Sequence, residues 1–478
     1  MAAPGGSDPA TRPPDLSPAA AMPMEAGDGF GLVVTGDRDR PAILHDPLRR
    51  VVLRIAIPAV ASNLLITLFA AFDTFWVGTY VGSAGLAAVT TSLFWIWLIV
   101  SIAEMVSIGL TAVASRRHGE RRPELAARLA ASALVLSLVL GVVIAVAGHI
   151  GLGAIFASMQ TAPAVTALGR AYLGTYLFAA PLIFGYFAVD AAFRASGDTR
   201  TPFLILASSV AVTLLLDPVL ILGLGPFPAL GIRGAAVATV LTRSAAFIVG
   251  VLILRRRRLL TWGGIEARAL AAVCRVGAPT ALTGVIFSLI YVLLARTTTQ
   301  FGTSAIAALG LGHRIESWLY MIGVGFGAAA AAIVGQNVGA RQLDRAERAG
   351  WVTVVYASVP GFAFAILALL IPERLAHLFT GDMTVVAEAA HYLRIGAIAQ
   401  LAVCAEVVLE GALGGAGHTV PPMISSTALT AARVPLAMWA APRWGTAGIW
   451  WTISLTAVAR AVAMMAIWRH GGWKKRAV

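Results

Sequence analysis

Charge is scarce in this chain of 478 residues: 12% are Asp, Glu, Lys or Arg, about half the share of an ordinary soluble domain. With 58% hydrophobic residues and a mean hydropathy of +0.82, that scarcity excludes a soluble fold and defines an integral membrane protein. Cysteine is nearly absent. Cys274 and Cys404 lie in apolar runs without metal-ligand spacing, which excludes a disulfide framework and leaves packing as their role. The chain also lacks HExxH, a Walker loop, GxSxG and a glycine-rich dinucleotide turn after a strand, so no classical enzyme is encoded and no cofactor is expected. Without a nucleotide loop, any transport must draw on an ion gradient.

What charge there is carries information. The formal +13 invites a nucleic-acid reading, but the basic residues sit in short clusters between apolar stretches rather than along one face, so topology is the better account and no nucleic acid is expected. Residues 1–50 are rich in Pro, Gly, Ala, Asp and Arg and contain no apolar stretch long enough for a signal-peptide core. They read as a disordered cytoplasmic tail, and the first span serves as its own insertion signal.

A helical crossing needs roughly 20 mainly apolar residues. Twelve such stretches follow, near 51–79, 86–115, 126–148, 166–190, 202–223, 232–254, 270–296, 304–334, 349–371, 386–411, 422–441 and 446–468. An even count places both termini on one side. Arg49 and Arg50, Arg116 to Arg122, Arg194 and Arg200, Arg255 to Arg258, Arg341 to Arg348 and Lys474 to Arg476 all fall on alternate loops of one face, whereas loops 80–85, 149–165, 223–231 and 297–303 carry no charge. By the positive-inside rule both termini are cytoplasmic, in a plasma (inner) membrane.

The chain repeats itself at an offset of 220 or 221 residues. "RIAIP" at 54–58 returns as "RVGAP" at 275–279, Gly119 matches Gly339, Tyr172-Leu173 matches Tyr392-Leu393, and "ASGDTRTP" at 195–202 matches "GAGHTVPP" at 415–422. This is a tandem duplication of a six-span unit, giving lobes at 51–258 and 259–478. Because six is even, both copies enter from the same side, the parallel kind of transporter repeat. Two such bundles leave a cleft between them suited to alternating access. The expected fold is an all-α membrane protein of twelve transmembrane helices in two six-helix bundles.

Ionisable groups within spans are functional hypotheses by default. Asp73 in "FDTFWVG" and Asp217 in "LLLDP" fall at similar depth in the outward half of the first bundle, and their counterparts in the second bundle are apolar. Two acids in a low-dielectric cavity cannot both stay ionised cheaply, so the pair is suited to bind a proton or a small cation, sodium included. The alternative for Asp73 is a helix-end carboxylate. Thr213, one turn before Asp217, and Thr239 can add hydroxyl oxygens, while Asn63 and Tyr176 are weaker candidates; for each alone an interhelical hydrogen bond is the commoner role, and they count only as a cluster around the two acids. In the second bundle Glu316 reads first as part of an arginine-carboxylate pair with nearby Arg314 or of a helix-packing network, and second as part of another ion or substrate site. Glu410, matching Asp190, reads as structural or gating.

In this order, "IPAVASNLL…FDTFWVG", "FRASGDTRTP", "LLLDP", "GIRGAAVAT", "RIES", "VGQNVGA" and "LEGALGGAGHT", spanning about residues 50 to 470, resemble the multidrug and toxic compound extrusion (MATE) family. The resemblance implies a V-shaped pair of lobes around a central cavity. It also implies antiport of amphipathic or cationic small molecules against protons or sodium, with coupling at the positions of Asp73 and Asp217. Thr213 stands where relatives usually have Asn, and Phe287 or a neighbour stands where one branch carries a span-7 acid, which points to the DinF-like branch and N-lobe coupling to protons. The expected protein is a monomer that meets only its substrates and membrane lipids. Two other readings are a lipid-linked saccharide flippase of the same superfamily and a membrane-embedded enzyme using the aspartate pair.

Overall fold

In lipid every backbone N–H and C=O must be satisfied within the chain, so long apolar runs fold as helices. The computed structural model describes residues 42–159 and 162–475, and the regular structure among them is entirely helical. The elements are α1 (Ala42–His45), α2 (Leu48–Tyr80), α3 (Ser83–Gly119), α4 (Pro123–Ser158), α5 (Pro163–Phe178), α6 (Ala180–Ser196), α7 (Arg200–Leu222) and α8 (Ile232–Arg256), followed by α9 (Ala267–Thr299), α10 (Thr303–Gly339), α11 (Leu343–Leu370), α12 (Pro372–His377), α13 (Met383–Gly415), α14 (Val420–Ala431) and α15 (Arg433–His470).

Among the described residues, ten helical runs are long and apolar enough to cross a membrane, and the bent pair α5–α6 adds an eleventh. The bend of 51° falls at Ala179 and Ala180, where Pro181 lacks the N–H that would continue the ladder. The twelfth crossing is hidden in the last run, Val420–His470, whose 51 residues would stretch about 75 Å as one helix. Gly445 breaks it with φ 61° and ψ −146°. A Cβ on Gly448 would lie 2.7 Å from the Ala440 carbonyl oxygen, although eight residues of straight helix rise about 12 Å, so the chain doubles back there.

One expected boundary is corrected. The tail does not run to residue 50: Ile43 and Leu44 are buried, and Arg345 donates to the carbonyls of Ile43 (3.1 Å) and Asp46 (2.5 Å), tying α1 and its loop to α11. The rest of the predicted tail, residues 1–41, lies outside the described residues.

The halves of the chain meet through α2, α3, α9 and α10: α3 packs on α9 and α10, and α2 packs on α10. On the face that carries the arginine loops the fit is reciprocal. A Cβ on Gly119 would stand 1.9 Å from the Gln336 carbonyl oxygen, and a Cβ on Gly339 would stand 2.0 Å from that of Arg116, so the contact exchanges matching residues of the repeat. Among the described residues, the other inter-half glycine approaches under 3 Å, at Gly109, Gly277, Gly325 and Gly335, also lie in the helix portions nearer this face. The halves are joined there, and Asn63 Nδ2 donating to Met321 O (3.3 Å) sits at mid-helix on both α2 and α10.

On the opposite face α13 opens with a side-chain cap. Asp382 Oδ1 accepts from the Thr384 hydroxyl (2.7 Å) and from the N–H groups of Thr384 (2.9 Å) and Val385 (3.4 Å). These bonds, the Thr384 hydroxyl foremost, hold the Asp382 carboxyl below the ordinary carboxylate range. A depressed value means the stabilisation is present at neutral pH and lost as pH falls through the lowered pKa. We expect Asp382→Ala to lower the thermal midpoint by a few degrees at pH 7, with the gap to wild type closing on acidification; equal midpoints at pH 7 would show that the cap contributes nothing.

Candidate functional site

The first half gathers its polar groups between α2, α5, α7 and α8. Asp73 lies seven residues before the end of α2 and Asp217 five before the end of α7, about 10 and 8 Å from the helix ends that face away from the arginine loops. Both are buried, Asp217 completely and Asp73 to 6% exposure. Tyr172, on α5, donates its hydroxyl to Asp73 Oδ2 at 3.0 Å. Asp217 lies within electrostatic reach of both Asp73 and Tyr172. Three carboxylate oxygens, Asp73 Oδ1 and both of Asp217, are buried with no hydrogen-bond partner among the described residues. Leaving such oxygens unmatched is costly, and a proton or a small cation is the group that would match them.

Below Asp217, Thr213 and Thr242 share a hydrogen bond of 2.6 Å, and the Thr213 hydroxyl also reaches the Ser209 carbonyl at 2.8 Å. Thr213 is thus held beside Asp217 on the α7–α8 seam, one helical turn from it. Thr239, also buried, accepts from the Thr242 hydroxyl through its carbonyl at 3.2 Å. Tyr176 stands one turn after Tyr172 on α5 and within electrostatic reach of Arg243, whose guanidinium lies 5.8 Å from the Phe69 ring centre. Asn63 does not join this cluster: ten residues before Asp73, about 15 Å along α2, it bonds to α10 instead. No group of three or more His, Cys, Asp or Glu that could hold a metal occurs among the described residues, so a sodium ion here would rest on the two carboxylates and neighbouring hydroxyl or carbonyl oxygens.

Glu316 stands in a separate cluster in the second half. It accepts from the Tyr392 hydroxyl (2.8 Å) and from Gln400 Nε2 (2.6 Å). The expected pair with Arg314 is not made, because residues two apart on a helix point to different sides, and Arg314 is exposed. Arg433 takes the place of Thr213: it donates to Thr456 at 2.8 Å, as Thr213 meets Thr242, and to the Tyr291 hydroxyl at 2.8 Å. Each half therefore keeps the repeated tyrosine on a carboxylate, Tyr172 on Asp73 and Tyr392 on Glu316, although the two acids come from non-equivalent helices. Asp190 pairs with Arg194 at 2.6 Å. The residues that sequence reasoning missed are Tyr172, Thr242 and Gln400; only Tyr172 carried a signal, as one of the residues repeated in both copies.

Twelve crossings in two repeated halves, with a buried carboxylate pair in one half, are the marks of a membrane transporter. The family model for MatE matches the chain twice, over residues 58–219 and 279–439, together more than half of its length. The chain belongs to the MatE family of transporters, and the two matches repeat the duplication read from the sequence. It is 28% identical to a probable multidrug resistance protein NorM of Thermotoga maritima over 90% of this chain and 94% of that protein. It is equally 28% identical to an FAD transporter of Shewanella oneidensis over 75% of this chain and 80% of that protein. A solved structure described as the outward-facing conformation of a multidrug resistance MATE family transporter matches with a TM-score of 0.84 at 22% identity, covering 91% of this chain and 99% of that one, and shares its twelve-helix fold.

Proposed function

We propose that this protein is a multidrug efflux transporter that carries amphipathic or cationic small molecules out of the cell in exchange for protons or sodium. The observation that carries the exchange is the buried pair Asp73 and Asp217, with three carboxylate oxygens unmatched among the described residues. Tyr172 offers a donor to Asp73 and, among the described residues, no group offers one to Asp217, so the exchanging cation is assigned to Asp217. Thr213 and Thr239 line the same seam and are assigned supporting roles, with Tyr176 behind Tyr172.

The two lobes, 51–258 and 259–478, move against each other around this pair. By the positive-inside rule the arginine loops are assigned to the cytoplasmic face, with both termini inside and the site in the outer half of the membrane. The joint between the lobes then lies on the cytoplasmic side, the arrangement of an outward-open state. The name of the Thermotoga relative supports multidrug export, and that of the Shewanella relative adds a large anionic cofactor to the substrates worth testing.

The test is substrate flux in proteoliposomes with a proton or a sodium gradient imposed one at a time, using a cationic dye, an uncharged amphipathic drug and FAD. Uphill movement of the dye under one of the two gradients is expected. Indifference of every substrate to both gradients would refute exchange, and accumulation of a lipid-linked saccharide in a deletion strain would favour the flippase.

A further inference from the structure

On the arginine face a cavity of about 590 Å³ opens where the two halves meet. Its lining comes from matching stretches of the repeat: Arg116, Arg121 and Arg122 at the end of α3, Arg341 and Gln342 at the end of α10, with His45 from α1 alongside. Glu120 is the one acid among the lining residues, and it pairs with Arg116 at 3.5 Å. Arg121, Arg122 and Arg341 have no ion pair or side-chain hydrogen bond among the described residues. Elsewhere on this face Arg117 is tied to Glu266 at 3.0 Å and Arg257 to Asp198 at 2.5 Å.

The backbone fixes where two of the cavity arginines leave the chain. Arg121 and Arg341 both have φ 59°, in turns closed by the same bonds: Arg122 N to Arg117 O and Gln342 N to Asn337 O. Glycine is the residue that such helix-ending turns favour, because a Cβ is strained there. A bias of charge for topology needs arginine somewhere in the loop. Arg258 stands in the same strained turn away from the cavity, so the strain alone marks no site; what topology does not require is an unpaired arginine from each half on the rim of a shared cavity. The ends of α3 and α10 bring carbonyl dipoles and the starts of α4 and α11 bring N–H dipoles, so the backbone contributions oppose each other and the unpaired guanidinium groups set the sign of the site.

We propose that this cavity binds a phosphate-bearing anion between Arg121 and Arg122 of one half and Arg341 of the other, and that the bound anion holds the arginine face closed. A guanidinium cluster suits the geometry of a phosphate group, and a volume of this size admits inorganic phosphate or the headgroup of an anionic lipid. Because the arginines come from both halves, the anion binds best when the halves are together and shifts the equilibrium toward that state. The proposal stands apart from the substrate assignment, since it can be read by binding alone.

The test uses the full chain in two settings. In detergent, the thermal midpoint is followed with inorganic phosphate against sodium chloride of equal ionic strength. In nanodiscs of neutral lipid, it is followed with and without phosphatidylglycerol. The wild type is expected to gain several degrees from at least one of the two. A gain from phosphate in detergent identifies a free anion; a gain from phosphatidylglycerol alone identifies a lipid headgroup.

The variant Arg121→Gly/Arg341→Gly relieves the strained turns, so its starting midpoint should rise while its response to the anion disappears. Arg258→Gly relieves the matching turn at the end of α8, where Arg258 has φ 58° outside the cavity lining, and should keep the full response. Arg122→Gln, at a residue of ordinary φ, should reduce the response with the starting midpoint unchanged. No gain in the wild type from either anion, or an equal gain in the Arg121→Gly/Arg341→Gly variant, would overturn the proposal.

Discussion

Asp217→Asn will transport substrate at less than a tenth of the wild-type rate under an imposed ion gradient, and it will do so as a more stable protein. The two effects share one cause. Asp217 is fully buried with neither carboxylate oxygen bonded among the described residues, so whenever it is ionised without a bound cation it costs folding stability. Asparagine keeps the shape and removes the charge, which lowers that cost and with it removes the capacity to take up and release a cation. A residue that only supported packing would lose stability and activity together. Thermal unfolding and proteoliposome flux on the same preparation separate the cases: flux above half of wild type in Asp217→Asn would remove this residue from the coupling site. Asp73→Asn should lose flux as well but gain less stability, because Tyr172 can still donate to the amide oxygen.

The second large effect is expected from one methyl group. Gly119→Ala places a Cβ 1.9 Å from the Gln336 carbonyl oxygen, well inside the contact distance, and neither helix backbone has a flexible atom to move aside. The halves must then part on the arginine face. Ser115 is buried beneath this contact, next to Gly335. In a background with Cys274 and Cys404 replaced by Ser, maleimide labelling of Ser115→Cys should become at least tenfold faster once Gly119→Ala is added, and efflux should fall. Gly151→Ala, where a Cβ meets nothing within 4 Å, is the control and should change neither. Unchanged labelling in a folded Gly119→Ala protein would show that this contact does not close the face.

The spans were legible because the cost of exposing polar backbone to lipid is local and each crossing must meet it alone. The expected limits agree with α2, α3, α7, α8 and α9 to within a few residues. The bend at Ala179 was not read, although Pro181 was in plain view, because a proline kink and a proline at a helix start look alike in a sequence. Asp73 and Asp217 could be paired by depth alone, since both lie near the same ends of helices in one repeat. Tyr172 on Asp73 and Thr242 on Thr213 could not, because those contacts are set by the rotation of α5 and α8 about their own axes. Of the two structural readings of Glu316, helix periodicity argues against the pair with Arg314 two residues away, and the bonds to Tyr392 and Gln400 on the facing helix α13 are the packing network.

The reciprocal contact of Gly119 with Gln336 and of Gly339 with Arg116 has the form of an isologous interface, in which one patch meets its own copy across a two-fold axis. A homodimer makes such a contact with two identical genes' products; here a single polypeptide makes it with itself. In a homodimer any substitution at this contact would be present on both sides at once. In this chain Gly119 and Gly339 can change independently, so the two sides of the closure have been free to diverge, as Arg122 and Gln342 on its rim already have.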